Sequence, residues 1–198
     1  MPTGVAIRDV REQLFAAAER VLLRDGPSAL TSRAVTTEAG CAKGVLHRHF
    51  ADFDEFLAEL VRNRIVRVRL QAHELWESAG TGGVTANLAG ALTEVFGSVA
   101  VALVGLITSR DVLRARLRAS TPSGVPLLSE ATEMIASYLT AEQEYGRIAA
   151  EADVSVLAPT LVGAGHLIFA DRHSGQPAEG DVARVVSTVI GPVVRWTP

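Results

Sequence analysis

The sequence predicts an all-α protein of about nine helices, and two observations support that prediction. Apolar residues recur at helical spacing along most of the chain, and no segment shows the convincing apolar–polar alternation of a strand. With 198 residues, 48% of them apolar and 21% charged, the chain can bury a substantial core. A disordered protein is therefore excluded.

The first predicted helix ends at Gly26-Pro27, because glycine lacks a side chain and proline fixes φ. Its apolar stripe consists of Leu14, Ala18, Val21 and Leu22. Thr31 or Ser28 can cap a short second helix by accepting a backbone N–H, and residues 39–41 break that helix. A third helix is predicted over residues 42–49.

The next helices are predicted from one cap and from glycine-rich breaks. Asp52 can cap a fourth helix, whose apolar face contains Phe53, Phe56, Leu57 and Leu60. A longer helix covers residues 62–78, and residues 80–83 form a linker with three glycines. Residues 85–109 are apolar on most faces, which predicts one or two buried helices.

The remaining helices are predicted over residues 112–119, 126–146, 153–173 and 180–195. Pro126 suits the first turn of its helix, and Asp153 or Ser155 can start the next one. Loops are predicted at residues 121–124 and 174–177.

Composition also limits where the protein acts. The longest apolar run, residues 99–107, is far shorter than the ~20 residues needed to cross a bilayer. Charged residues interrupt the first twenty positions, which argues against a signal peptide, and the single cysteine cannot form an internal disulfide. We expect a cytoplasmic protein with no membrane partner.

The net charge of −3 hides an asymmetry along the chain. Residues 1–70 carry eleven basic and nine acidic groups, whereas residues 71–198 carry eight basic and thirteen acidic groups. A slightly basic N-terminal part followed by an acidic part predicts two functional parts. Lys43 is the only lysine in the chain.

Residues 30–50 have the pattern of a helix-turn-helix. Gly40 lies where the chain must reverse, and glycine adopts positive φ without steric cost. A small interior is predicted from Val35, Ala39, Cys41 and Leu46. The outward face of the second short helix is predicted to contain Ala42, Lys43, Gly44, Val45, His47 and Arg48. In this motif the second helix enters the major groove of DNA.

Residues 7–60 resemble the DNA-binding region of the TetR family of transcriptional regulators. The residues that match are the helix end at Gly26, Leu30-Thr31, Ala39-Gly40, Lys43-Gly44, Leu46, His49-Phe50 and Glu55-Phe56-Leu57. The resemblance implies a three-helix DNA-binding domain over residues 1–60. It also implies a helical bundle over residues 61–198 that binds a ligand and forms a two-fold dimer.

By this resemblance, ten residues are candidates for contact with DNA: Thr31, Ser32, Arg33, Ala42, Lys43, Gly44, Val45, His47, Arg48 and His49. Arg33 and Lys43 are the candidates for base edges, since both can donate to guanine acceptors. The alternative is that Arg33 and Arg48 are solvated surface charges.

Four positions depart from the family's usual residues. Thr36 replaces a small alanine at the helix crossing. Val45, His47 and Phe53 replace a threonine, a tyrosine and a lysine that usually contact or face the phosphate backbone. Loss of those contacts would weaken DNA binding and its salt dependence. A helical small-molecule-binding protein with weakened or lost operator binding therefore stays open as the alternative function.

Other chemistry finds little support. His47 and His49 point about 200° apart on a helix, so they do not share a metal ion. Cys41 either fills the small interior or serves as a redox-sensitive thiol. Glu130 and Glu133 fit a solvated helix face better than an acid/base pair, and no nucleophile or phosphate-binding motif occurs. We expect no enzyme, no metal and no cofactor.

The C-terminal part has two predicted roles. The stripes of the last two helices would form a four-helix bundle with a second copy, although they can also pack within one chain. Their residues are Leu157, Leu161, Ala164, Leu167, Ile168, Val182, Val186, Val189 and Val193. Candidate ligand-lining residues are Trp76, Glu94, Phe96, Thr108, Met134, Tyr138 and His166, for each of which ordinary core or surface is the alternative.

Together these features predict a homodimeric DNA-binding repressor that a small, mostly apolar molecule releases from a near-palindromic operator.

Overall fold

The computed structural model describes residues 5–119, 121–170, 177–178 and 180–195. Within them the chain forms ten α-helices and no strand, which confirms the all-α prediction. The helices are α1 (Val5–Asp25), α2 (Ser32–Glu38), α3 (Gly44–His49), α4 (Phe53–Glu77), α5 (Val84–Phe96), α6 (Ala100–Ser109), α7 (Asp111–Leu117), α8 (Leu128–Glu144), α9 (Val154–Ala170) and α10 (Asp181–Ile190). A 3-10 helix, Pro27–Ala29, follows α1. Residues 171–176, which include most of the predicted loop at 174–177, lie outside the described residues.

Helix α4 is continuous where the sequence predicted a break near residue 61. That prediction is wrong because the buried face does not stop there: Leu57, Leu60, Val61, Ile65 and Val68 are all buried at helical spacing. The predicted cap is present, since the Asp52 carboxylate accepts a hydrogen bond from the Glu55 N–H at 2.8 Å.

The chain divides into two compact units. The first contains residues 1–63 and 102–125, and the second contains residues 64–101 and 126–198. The domain boundary at residue 60 stays a prediction.

An aromatic cluster forms part of the core of the first unit. The Phe50 and Phe56 rings meet edge to face with centroids 5.0 Å apart, and Phe15 lies 5.8 Å from Phe50. Such aromatic contacts stabilise a core beyond the area they bury.

Within the first unit, ion pairs connect segment 102–125 to residues 1–63. The Arg116 guanidinium donates to the Asp52 carboxylate at 2.7 Å and to the Glu55 carboxylate at 3.1 Å. The bond from Arg116 is the main reason that the pKa of Asp52 is lowered. These contacts fix the first turn of α4 to α7.

The core of the second unit is formed by α5, α8, α9 and α10. It contains the fully buried side chains of Leu88, Leu92, Ile135, Leu161 and Val186. Close packing of small and branched side chains keeps these helices together.

A buried polar network holds the turn between α4 and α5. The fully buried Glu142 carboxylate accepts from the backbone N–H of Gly80 at 3.4 Å and pairs with Arg147 at 3.3 Å. Arg147 also donates to the Gly82 carbonyl at 2.7 Å. Burial raises the pKa of the nearby Tyr138 hydroxyl, which accepts from the Asn87 amide. The linker predicted at residues 80–83 is therefore an anchored turn.

Among the described helices, no single one is long and apolar enough to cross a membrane. One bent pair, α5 with α6, meets the length and composition test only when taken together.

Candidate nucleic-acid interface

Helices α2 and α3 are joined by a tight turn. The Thr31 hydroxyl caps α2 by accepting from the Ala34 N–H at 3.1 Å, as the sequence predicted. Gly40 has φ of 65°, and the next residue, Cys41, donates its N–H to the Thr36 carbonyl at 3.0 Å. The chain therefore reverses at the predicted glycine.

The predicted interior of this motif is largely present. Val35 and Leu46 are completely buried and Ala39 is nearly so, whereas Cys41 is only half-buried. Thr36 is buried as well, and its hydroxyl donates to the Ser32 carbonyl at 3.0 Å. A threonine is thus accommodated at the helix crossing because its polar group is satisfied within α2.

Two arginines of α1 hold the C-terminal end of α2. Arg20 donates to one oxygen of the Glu38 carboxylate at 2.7 Å, and Arg24 donates to the other at 2.8 Å. The Arg20 guanidinium, and then that of Arg24, lowers the pKa of Glu38. Gln13 adds a hydrogen bond to the Ala39 carbonyl at 3.0 Å, so the start of the turn is also fixed.

The C-terminal end of α3 is held by Arg11. Its guanidinium donates to the His49 carbonyl at 3.2 Å, lies 4.4 Å from the centroid of the Phe50 ring and pairs with Glu59. Helix α3 has only six residues, so these contacts, together with buried Leu46, set its orientation.

The ten predicted contact residues fall into two groups by exposure. Seven are exposed: Thr31, Arg33, Ala42, Lys43, Gly44, His47 and Arg48. Three are half-buried: Ser32, Val45 and His49. The exposed group combines cations with small residues at the start of α3, which leaves its backbone accessible.

The cations of this face lack acidic partners. Outside the motif, seven arginines in the described part of the first unit form ion pairs with carboxylates. They are Arg11, Arg20, Arg24, Arg62, Arg110, Arg114 and Arg116. In the same part of the chain no ion pair involves Arg33, Lys43, Arg48 or Arg118. Three of these four unpaired cations lie on or beside α2 and α3, where they remain available to phosphate or to base edges.

Phe53 packs inside the protein, unlike the lysine that is usual at this position in the TetR family. Its ring stacks on Phe56 with centroids 5.7 Å apart, and the Arg110 guanidinium lies 5.8 Å from its centroid. The side chain therefore contributes to internal packing.

Comparison with known proteins supports this geometry. Residues 14–60 match the family described as "Bacterial regulatory proteins, tetR family". This match confirms the resemblance to the TetR family over residues 14–60. No curated protein matches the chain.

Solved structures with a TetR-like fold match 93–96% of the chain. A putative TetR-family regulator from Mesorhizobium loti is 16% identical with a TM-score of 0.67, covering 96% of each chain. Escherichia coli NemR, in its reduced form, is 14% identical with a TM-score of 0.72, covering 93% of this chain and 97% of its own. Bacillus subtilis FadR, solved in complex with stearoyl-CoA, is 15% identical with a TM-score of 0.63, covering 94% and 99%.

Outside residues 14–60, the predicted ligand residues do not converge on one cavity. Phe96, Met134 and Tyr138 are buried in the core of the second unit, and His166 packs edge to face on Phe96. Burial lowers the pKa of the His166 imidazole. Trp76 is 51% exposed, and Thr108 belongs to the first unit, where its hydroxyl donates to the Val104 carbonyl.

Of the predicted ligand residues, Trp76 lines a cleft of about 360 Å³ beside α8, and Glu94 lines a larger, apolar cleft. This apolar cleft, about 480 Å³ in volume, lies between α5, the end of α9 and the start of α10. Its walls include Ala89, Gly90, Thr93, Glu94, Phe169 and Val182. Glu94 also lines a smaller cleft of about 180 Å³ between α4 and α5, which we call the acceptor cleft. Its polar residues are Gln71, Glu74, Ser78, Asn87 and Glu94.

Sequence reasoning missed most of these cleft residues. Gln71, Glu74 and Ser78 share one helical face, as do Asn87, Ala91 and Glu94, so periodicity groups each set. The sequence did not show that these faces of α4 and α5 pack against each other.

The predicted dimer residues also separate by exposure. Leu161, Val182 and Val186 are buried within a single chain, so they pack as the alternative interpretation expected. Leu167 is 72% exposed, and the partly buried members are Leu157, Ala164, Ile168, Val189 and Val193.

Proposed function

We propose that this protein is a ligand-responsive transcriptional regulator, a repressor that binds double-stranded operator DNA as a homodimer and releases it when a small, mostly apolar molecule binds. The observation that carries the DNA-binding role is the unpaired set of Arg33, Lys43 and Arg48 on a motif whose neighbouring arginines are paired. Cations without internal partners can exchange counterions for phosphates. Such a regulator would act in the cytoplasm.

In a homodimer, each copy would place α3 in one half-site of a near-palindromic operator. Half-sites about 34–36 Å apart, or a multiple of that spacing, match two-fold symmetry. The ligand would release DNA by binding better to a conformation with the wrong separation of the two α3 helices. A coupling of ~1–3 kcal/mol suffices for this response.

A second candidate function is a helical small-molecule-binding protein with weakened operator binding. Two observations favour it: Val45 is half-buried, and Phe53 packs internally where a cation would reach phosphate. Both replacements would remove side-chain contacts with the phosphate backbone of DNA while leaving the fold intact.

Selection of bound fragments from random double-stranded DNA distinguishes the two functions. We expect an enriched near-palindromic sequence at moderate salt. Recovery of no palindrome would favour the second function.

Single substitutions test the roles of the cations. Arg33→Ala and Lys43→Ala should weaken binding to the selected fragment more than binding to random DNA, since each would lose a base contact. Equal losses on both DNAs would instead show backbone contact, with the salt slope reduced by roughly 0.9 for each phosphate. Arg69→Ala is the matched control, because Arg69 is an exposed arginine on α4 that belongs to the second unit and not to residues 30–50.

A further inference from the structure

We propose that the effector is an amphipathic organic cation, with its apolar body in the apolar cleft and its charged nitrogen between Glu74 and Glu94. The inference deepens the proposed function and rests on it, because the word effector assumes a regulator. The proposal assigns a positive charge to the effector, which the lining of the apolar cleft by itself does not require.

The apolar cleft has the size and surface of a small-molecule site. Its volume of about 480 Å³ falls within the range of about 300–1,000 Å³ that such sites occupy. Ala89, Phe169 and Val182 supply apolar walls. A Cβ added at Gly90 would meet no atom within 4 Å, so this glycine leaves the α5 side of the cleft open.

In the acceptor cleft, the Ser78 hydroxyl and the Asn87 amide already donate their hydrogens to other groups of the protein. The Ser78 hydroxyl donates to the Leu75 carbonyl at 2.6 Å. The Asn87 amide donates to the Thr81 carbonyl and to the Tyr138 hydroxyl, both at 3.0 Å. On the apolar side, the Thr93 hydroxyl donates to the Ala89 carbonyl at 2.8 Å. Apart from the Gln71 amide, which can also donate, the polar side chains of the acceptor cleft therefore offer mainly acceptor oxygens to a ligand.

The two carboxylates of the acceptor cleft have no cationic partner among the described residues. Among the described residues, neither Glu74 nor Glu94 takes part in an ion pair, and the Gln71 side-chain oxygen is buried without a hydrogen-bond partner. The surrounding sequence, residues 71–198, has thirteen acidic and only eight basic groups. Charge complementarity thus favours a cation and disfavours an anion.

Glu94 lines both clefts, so one ligand can place an apolar body in the apolar cleft and a cationic group beside this carboxylate. A ligand with a hydrocarbon body and an ammonium or amidinium group can fill the apolar cleft while its nitrogen donates to Glu94. An acyl-CoA such as the stearoyl-CoA bound by the Bacillus subtilis FadR carries anionic phosphates, which these carboxylates would repel.

Calorimetric titration with three probes of equal chain length tests the charge preference. We expect the full-length protein to bind n-octylammonium more tightly than n-octanol, and n-octanol more tightly than octanoate. Octanoate binding as tightly as octylammonium, or no binding of octylammonium, would overturn the proposal.

Variants test the location. Glu94→Gln should weaken octylammonium binding roughly two- to fivefold, the range for an ion pair at a partly exposed site, and leave octanol binding unchanged. Gly90→Leu should block all three probes by filling the cleft, whereas Gly90→Ala should retain binding. Glu133→Gln is the control, since Glu133 is exposed on α8 outside both clefts. Unchanged octylammonium affinity in Glu94→Gln would contradict the assignment even if Gly90→Leu fails to fold.

The outcomes separate this inference from the proposed function. If DNA selection finds an operator but octanoate binds as well as octylammonium, only the cation proposal fails. If octylammonium binding depends on Glu94 but no operator is found, the regulator proposal fails and the cation site stands.

Discussion

Glu38 is the carboxylate through which two arginines of α1 hold the end of α2. Its two oxygens accept from Arg20 and Arg24 separately, so neither contact replaces the other. Exposed ion pairs of this kind add little free energy singly, but a shared carboxylate also restricts geometry. The orientation of the helix-turn-helix thus depends on surface chemistry as well as on its core.

Glu38→Gln should lower the free energy of unfolding at neutral pH, and the difference should shrink in high salt. Because the arginines lower the pKa of Glu38 in the folded state, the stabilisation is present above its ordinary value of 4.5. It is lost as pH falls through the lowered value. Urea denaturation between pH 7 and pH 3 measures this, with Glu144→Gln, exposed on α8, as the control. A difference that grows on acidification would contradict the assigned pKa shift.

Leu46 connects α3 to the interior of the first unit and is completely buried. Leu46→Ala should lower the free energy of unfolding by about 2–5 kcal/mol, because it leaves a cavity. Leu23→Ala makes the same chemical change on α1 at a side chain that is 56% exposed, and we expect a loss within about 0.5 kcal/mol. Equal losses in chemical denaturation would show that Leu46 is not the anchor of α3.

Helix ends and turns are determined by local sequence, whereas the tertiary partners of a helix are not. Gly26, Gly40 and the turn at residues 80–83 were predictable because glycine and proline act through their own backbone. The unbroken α4 was missed because burial of Val61 and Ile65 decides continuity.

In the candidate site, too, local sequence predicts some residues, whereas others are brought together only by tertiary packing. The outward face of α3 follows from helical periodicity within six residues, so its exposed side chains could be predicted. Glu38 gave no signal of its own, because its partners lie fourteen and eighteen residues away on α1. Glu74 and Glu94 come from two helices, so only packing could place them at one cleft.

Two glycines near the turn should respond oppositely to alanine. Gly40→Ala should cost about 1–2 kcal/mol, because φ of 65° disfavours a Cβ even where space is open. Gly44→Ala should gain about 0.4–1 kcal/mol, since Gly44 is helical and has no atom within 4 Å of an added Cβ. Thermal melts of both variants measure the signs, and a stabilising Gly40→Ala would contradict the backbone argument.

The surface of the protein differs in composition between its N-terminal and C-terminal parts. Unpaired cations lie on or beside α2 and α3, whereas the apolar stripes of α9 and α10 are only partly buried within one chain. Leu167 is the most exposed large apolar side chain identified, at 72%. A second copy of the chain would cover it.

Leu167→Glu should therefore shift the protein from the mass of two chains to that of one, because it places a charge in an apolar interface. Leu70→Glu is the control, since Leu70 is 62% exposed on α4. Sedimentation equilibrium at micromolar concentration distinguishes the results. A wild-type monomer, or an unchanged dimer in Leu167→Glu, would refute this interface.

Lys43 carries the only side-chain amine of the protein and is exposed immediately before α3. An amine-directed fluorophore, attached at a pH where lysine reacts, has no other side chain to modify. Lys43 is thus the single side-chain amine, placed where a DNA groove would meet the protein, and peptide mapping separates its labelling from that of the α-amino group. Protection of the Lys43 amine during labelling would report occupancy of the site without any substitution.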